Sequence, residues 1–295
     1  MTHCELFIVG AGAAGLSAAE SAWKNGCRDI LLADRNSIPG GILPQCIHEG
    51  FGLSLLGREL TGPDFAAFLA NNLAGTGVTM RLGTTVLSVS ADRTAFLSSA
   101  NGVEEISFSR MILATGCRER TLGALPVPSS RPGGIYTAGE AQELMNRYHQ
   151  SIGNRIVIVG SGDLGMILAR RFTLEGKTVA AVIEKEAHYG GMARNYRRCL
   201  EAYATPLLLS TELRQVLGEG RVSGVLVRHR GSGKVEKIPC DTLVTALGLI
   251  PEQSLVKSLG EVDWLSLCGN CRRVHPLVDS AVEEAAAVGR SMAAK

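Results

Sequence analysis

The chain has 295 residues, 45% of them apolar and 20% charged, which is the composition of a globular protein of about two domains, each with a real core. Thirty basic residues against 28 acidic ones leave a net charge of +2, so charge offers no argument for a nucleic-acid or membrane-surface partner. No apolar run reaches the length needed to span a bilayer.

The first residues enter a strand pattern at once, with no charged leader or cleavage site, and the expected compartment is the cytoplasm. Eight cysteines (Cys4, Cys27, Cys46, Cys117, Cys199, Cys240, Cys268 and Cys271) are scattered through apolar or helical segments and read as reduced thiols rather than a disulfide framework.

In chain order, an apolar run at residues 6–9 predicts a buried strand. It ends in Gly10-Ala11-Gly12-Ala13-Ala14-Gly15, and a helical run follows that stops at Gly26. A second strand at 30–33 ends in Asp34, with Arg35 beside it, and Gly40-Gly41 closes the unit. Residues 42–57 read as a long glycine-rich loop that carries Cys46 and His48. A helix is predicted over 63–73, a third parallel strand over 78–80 and a β-meander over 84–108. A buried strand is then expected from 111, ending in the tight turn Thr115-Gly116. Residues 117–135 hold Pro126, Pro128, Pro132 and Gly133-Gly134 and read as a linker, with Arg118 and Glu119 as a surface ion pair at its start.

The pattern then begins again. A strand at 155–159 runs into Gly160-Ser161-Gly162-Asp163-Leu164-Gly165, so that Gly10 maps onto Gly160 at an offset of 150 positions. The same offset carries Gly26 onto Gly176, Asp34 onto Glu184, and Gly40-Gly41 onto Gly190-Gly191. A helix is predicted over 193–203, a strand over 207–209, a meander over 212–238 and a strand over 241–246. Leu247-Gly248 repeats the turn at Thr115-Gly116. Residues 249–295 offer a short strand at 264–267 and a helix from about 276. This tail is too short for a domain and is expected to return and complete the first one.

Strand, glycine turn, helix, strand and acid together form a dinucleotide fingerprint. The first glycine permits the tight turn, the second lets backbone approach a pyrophosphate, and the third lets helix and strand pack closely. The helix N-terminus offers unpaired N–H groups and the positive end of its dipole to phosphate, and the acid accepts from ribose hydroxyls. One such turn is a weak signal; two with matching landmarks at a single offset are a strong one. Two dinucleotides in one chain read most economically as a bound FAD and a visiting nicotinamide nucleotide.

The resulting expectation is an α/β chain of two Rossmann-like domains, each with a β-meander. Residues 1–120 and 249–295 form a discontinuous FAD domain, and residues 121–248 an inserted NAD(P) domain. Gly10, Gly12, Ala14, Gly15, Asp34, Arg35 and Gly41 are assigned to FAD, and Gly160, Gly162, Asp163, Leu164, Gly165, Glu184 and Gly248 to NAD. An acid at position 184 repels a 2′-phosphate and favours NAD over NADP. Lys185, Arg194, Arg197 and Arg198 would argue for NADP, or are a solvated helix face.

On these motifs the chain resembles the two-dinucleotide-domain flavoproteins of the pyridine nucleotide-disulfide oxidoreductase group, which includes thioredoxin and glutathione reductases. The resemblance implies that Thr115 and Gly116 form the turn where chain leaves the FAD domain, and that Gly269 and Asn270 support the flavin ribityl chain. Three stretches are also similar to FAD-dependent oxidoreductase subunits such as those of opine oxidase and hydrogen cyanide synthase: residues 40–52, residues 136–142, and Cys268-Gly269-Asn270 with Val274-His275-Pro-Leu-Val-Asp279. Small oxidoreductases that work beside a glycerol-3-phosphate dehydrogenase-like flavoprotein are similar in the same way. That resemblance implies a subunit relaying electrons between NAD(H) and a partner, either a flavoprotein dehydrogenase or a small cysteine-rich protein. The group's closing Gly-Asp is Gly269-Asn270 here, and the segment before it is compressed to residues 260–267.

Cys46 and His275 are the candidate catalytic residues. Cys46 stands alone in its loop and cannot form the CxxxxC pair of glutathione-type reductases. It resembles the single thiol of NADH peroxidases and coenzyme A-disulfide reductases, or else simply packs. His275 precedes the final helix, whose N-terminus the resemblance aims at the flavin pyrimidine edge. His48 is a weaker candidate of the same kind. Cys268-x-x-Cys271 with His275 falls one ligand short of a structural zinc site, so no metal is assigned; the two cysteines read as a redox dithiol or as packing residues. Besides the relay, two rivals stand: a stand-alone Cys46 peroxidase or disulfide reductase, and a nucleotide-binding scaffold subunit inactive on its own.

Overall fold

The computed structural model describes residues 2–293. The chain folds into two compact units, one running to Arg118 and resuming at Ile250, the other spanning Glu119–Leu249.

In the first unit the strands Thr79–Arg81, Ile30–Ala33, Thr2–Val9 and Gly102–Leu113 lie side by side in that order, all parallel. The second strand is buried along its whole length, as expected of a strand covered on both faces. Gly102–Leu113 serves two purposes. Its first half pairs antiparallel with Thr94–Ser99, which pairs in turn with Thr85–Val89, while its last three residues pair in parallel with Leu265–Leu267. In the sequence a meander and a strand beginning at 111 look separate. The last strand of the meander and the strand at 111 are one 12-residue strand that changes neighbour part-way; Ser109 and Arg110, polar and only partly buried, sit mid-strand and mask the continuity.

The predicted final helix is Val278–Ala293, and it packs along the first helix, Ala13–Lys24. A Cβ on Gly289 would stand 2.3 Å from the carbonyl oxygen of Ala18, so only glycine permits this approach. Ser17 Oγ donates to Val282 O at 2.9 Å and Ser21 Oγ to Ala286 O at 2.7 Å. Arg110 bonds both Glu5 and the carbonyl of Met292. The tail therefore completes the first unit. On the other sheet face Phe7, Phe108 and Trp264 pack in sequence as tilted rings, with centroids 5.6 and 5.4 Å apart.

The second unit is built on a five-stranded parallel sheet ordered Ile135–Thr137, Thr242–Thr245, Arg155–Val159, Thr178–Ile183 and Leu207–Leu208. A separate antiparallel meander follows, formed by Thr211–Leu217, Gly224–His229 and Val235–Ile238. The strand Ile135–Thr137 and the helix Ala138–Asn146 were not foreseen. Their signal was present in Thr137 and Glu140, which form a reciprocal capping box.

Three other expectations are corrected. Leu122, Leu125 and Val127, placed in a linker, pack against a core of the second unit. The stretch 193–203 is not one regular helix: a single α turn, Ala193–Asn195, leads into a π turn, Tyr196–Leu200, and a 3-10 turn, Glu201–Tyr203. The wide turn buries Cys199 and Leu200 while Arg197 and Arg198 stay exposed. The loop at 42–57 also carries local order, in a 3-10 turn Leu43–Gln45, a helical turn Leu53–Leu56, and Glu49–Phe51 paired with Leu60–Thr61.

Candidate cofactor sites

The backbones of the two glycine turns are built alike in their respective units. Gly10 has φ +106° and donates to Ala33 O at 2.8 Å; Gly160 has φ +105° and donates to Ile183 O at 2.8 Å. A Cβ on Gly10 would lie 2.4 Å from Ala114 O, and one on Gly160 would lie 2.2 Å from Ala246 O. A Cβ on Gly15 or Gly165 would drive into the carbonyl of its own first glycine. These four glycines let the chain touch itself.

Gly12 and Gly162 differ from them. A Cβ on Gly12 would come no nearer than 3.8 Å, to Gly41 Cα, and one on Gly162 would meet nothing within 4 Å. Both are N-caps in extended conformation with no side-chain cap, which leaves the first N–H groups of each 12-residue helix free for a ligand. The open second glycine and the uncapped N–H groups fit a pyrophosphate in each unit. Gly41, at φ +60°, lies 3.0 Å from Gly12 when given a Cβ, so bulk is excluded there too.

The acids anchor the turns. Asp34, buried, accepts from Ala11 N–H at 2.7 Å and Asn36 N–H at 2.8 Å. Glu184 accepts from Ser161 N–H at 3.1 Å, Ser161 Oγ–H at 2.7 Å and Glu186 N–H at 3.1 Å. Burial alone would raise the Glu184 pKa; the hydroxyl of Ser161 and the N–H groups of Glu186, Ser161 and Lys185 outweigh it and hold the carboxyl below its ordinary value. Arg35 is exposed beside Asp34, as are Lys185, Arg194, Arg197 and Arg198 around the second cradle. Asp163, in the first turn of its helix, points its carboxylate aside to accept from Met192 N–H and Asn195 Nδ2, each at 2.7 Å. Its neighbour Leu164 packs on the core of the second unit.

Ala14 lies behind the first cradle, where a Cβ on Gly269 (φ +67°) would meet its methyl at 2.6 Å. Thr115 Oγ1 donates to Glu252 O at 2.6 Å, and Glu252 N–H returns to Gly116 O at 3.0 Å. Gly116 and Gly248 hold φ +73° and +92° with open space beside them. Arg118 and Glu119 are not paired with each other. Arg118 stands 3.4 Å from Glu252, while both oxygens of Glu119 lie 2.9 Å from Gly139 N at the start of a helix, a better use for a carboxylate than an exposed ion pair.

Cys46 is 8% exposed, and its thiol donates to Ile42 O at 3.4 Å. Burial pushes that thiol up to about 12. His48 is half-buried, with its ring 5.0 Å from that of Phe51. Cys268 and Cys271 are both fully buried but in different cores, one facing the helices and the other facing Trp264, so the pair is split. Among the described residues no cluster of three or more His, Cys, Asp or Glu side chains could hold a metal ion.

His275 donates its backbone N–H to Asn270 Oδ1 at 2.9 Å, and its imidazole Nε2, buried and without a hydrogen bond, stands 3.4 Å from Glu284 Oε1. Asp279, at the end of the stretch that begins with Val274, accepts from Gly52 N–H at 2.9 Å and Ser54 N–H at 2.7 Å and ties the loop after Cys46 to the final helix.

A model of pyridine nucleotide-disulphide oxidoreductases matches residues 4–264. The chain belongs to that family. It is 30% identical to hydrogen cyanide synthase subunit HcnB of Pseudomonas aeruginosa, over 78% of this chain and 47% of that one. It is 27% identical to an opine oxidase subunit of Agrobacterium tumefaciens, over 88% of this chain and 55% of that one. The chain thus spans about half the length of these curated relatives. Thioredoxin reductase of T. acidophilum has the same fold, with a TM-score of 0.82 over 100% of this chain and 99% of that one at 21% identity. No helix among the described residues is long and apolar enough to cross a membrane.

Proposed function

We propose that the first unit holds FAD, that the second takes NAD(H), and that the protein relays electrons between the nicotinamide and a partner redox subunit. The observation that carries this reading is the pair of cradles, each with an uncapped helix N-terminus, an open second glycine and an acid locked behind the turn. When bound, FAD takes up a hydride and can release electrons singly or in pairs.

The chain's own residues bind and orient. Gly10, Gly12, Gly15 and Gly41 shape the first phosphate site, and Gly160, Gly162 and Gly165 the second. Asp34 and Glu184 accept from ribose hydroxyls with the oxygen lone pairs their turns leave over. Glu184, held anionic, favours NAD over NADP by repelling a 2′-phosphate. Thr115, Gly116, Gly269 and Asn270 line the flavin side, and Gly248 the nicotinamide side.

The partner reading draws support from the relatives, which carry the word subunit in their names. The Cys46 reading is weakened by a thiol that is buried, donating and almost wholly protonated at neutral pH. Anaerobic titration of the purified protein tests the proposal. A yellow protein bleached by NADH at lower concentration than by NADPH, and recoloured by an artificial one-electron acceptor, is the expected result. A preparation that refuses added FAD overturns it.

A further inference from the structure

Glu284 lies on the final helix, outside every motif, and its carboxylate is the hub of the turn that closes the first unit. Oε1 accepts from Gly269 N–H at 3.0 Å. Oε2 accepts from Arg272 Nη1 at 3.0 Å and Arg273 Nε at 3.2 Å. The side chain is 11% exposed, whereas the two arginines are mostly in solvent. Burial works against the charge, and the Gly269 N–H, His275 and Arg272 more than offset it, so the carboxyl sits below its ordinary range. One anion thus bonds the Gly269 end of the segment and Arg272 and Arg273 within it, and faces the His275 imidazole at 3.4 Å.

The segment in between fixes the amide of Asn270. Its Oδ1 is occupied by the backbone N–H of His275, and a backbone N–H requires an acceptor, so the amide has one permitted orientation. Nδ2 is therefore the end that faces away from the segment, toward Cys117 Sγ at 3.7 Å, beside the Thr115-Gly116 turn. Gly269 sits against Ala14, which lies within the first glycine turn between Gly12 and Gly15.

We infer that Glu284 is a positioning residue for FAD: it holds the Gly269–Asn270 turn so that Asn270 offers an N–H donor, not an acceptor, to the ligand. This rests on the assignment of FAD to the first unit. Glu284 touches no ligand itself; it acts through the turn.

The test is FAD binding by flavin-stripped protein, followed by flavin fluorescence, with the melting temperature of the stripped form measured alongside. Glu284→Ala should bind FAD about tenfold to a hundredfold more weakly, the loss typical of a hydrogen bond to a charged group, with little change in the melting of the stripped form. Glu284→Gln, whose amide oxygen still accepts from Gly269 N–H, should stay within about threefold of wild type. In an Asn270→Ala background, Glu284→Ala should add almost nothing, because the residue through which it acts is gone. If Glu284→Ala fails to fold, Glu284→Met fills the volume without an acceptor and must show the same loss. Wild-type affinity in the folded variant, or full additivity with Asn270→Ala, overturns the inference. Wild-type protein that binds no FAD overturns the cofactor assignment instead.

Discussion

Ser161 bonds Glu184 twice, through its hydroxyl at 2.7 Å and its backbone N–H at 3.1 Å, both onto the same carboxylate oxygen. Ala11 bonds Asp34 only through its N–H, because alanine has no hydroxyl to offer. The acid of the second cradle is therefore held by one bond more than that of the first, and these bonds lower the Glu184 carboxyl below its ordinary value.

That difference predicts a pH dependence. A group whose folded pKa lies below its ordinary value of 4.5 stabilises the fold above that value and loses the effect as pH falls through the folded one. Ser161→Ala should move this acid-side loss upward, toward the ordinary value. Melting temperature measured from pH 7 to 3 on the two proteins checks it; superimposable profiles would dismiss the role of the hydroxyl.

Nucleotide choice should follow the same carboxylate. Glu184→Ala is expected to raise the KM for NADH about tenfold and leave that for NADPH unchanged or lower, since a ribose hydrogen bond to a charged group is lost and a repulsion is removed. Steady-state rates with an artificial acceptor read both values. Equal losses with the two nucleotides would show that position 184 does not discriminate.

The glycines separate into two mutational classes. Gly160→Ala places a Cβ 2.2 Å from Ala246 O and should lower the melting temperature by several degrees, about 2–3 kcal/mol. Gly162→Ala meets nothing in the protein and should leave melting almost unchanged while weakening NADH about tenfold. If both variants melt alike, the division of labour between first and second glycine is wrong.

Cys46→Ser is expected to keep reduction of a dye by NADH within about twofold of wild type. A thiol near 12 is about one part in 10⁵ thiolate at pH 7, too little to serve as a nucleophile. The native thiol should resist iodoacetamide at pH 7 until the chain is unfolded. Rapid labelling of folded protein would restore the single-cysteine reading.

At the core of the first unit, Gly289→Leu should cost about 3 kcal/mol or more, because the new side chain has only the backbone of Ala18 to move against. Urea unfolding gives the figure, and loss of FAD retention should accompany it. Wild-type stability would mean that the final helix is not seated on the first as described.

The cradles were legible because their instructions are local. A strand, a glycine that must turn at positive φ, a helix and an acid are encoded within some 30 consecutive residues, and a repeat at a fixed offset doubles the signal. The return of the tail to the first unit could likewise be read from its length alone. What the sequence could not determine was the choice of distant neighbours. Gly102–Leu113 changes partner midway, Cys268 and Cys271 part into separate cores, Glu119 leaves Arg118 for the N-terminus of a helix, and Glu284 reaches back to Gly269. Each of these depends on which elements pair and pack, a matter of long-range burial and hydrogen-bond satisfaction that no window of consecutive residues contains.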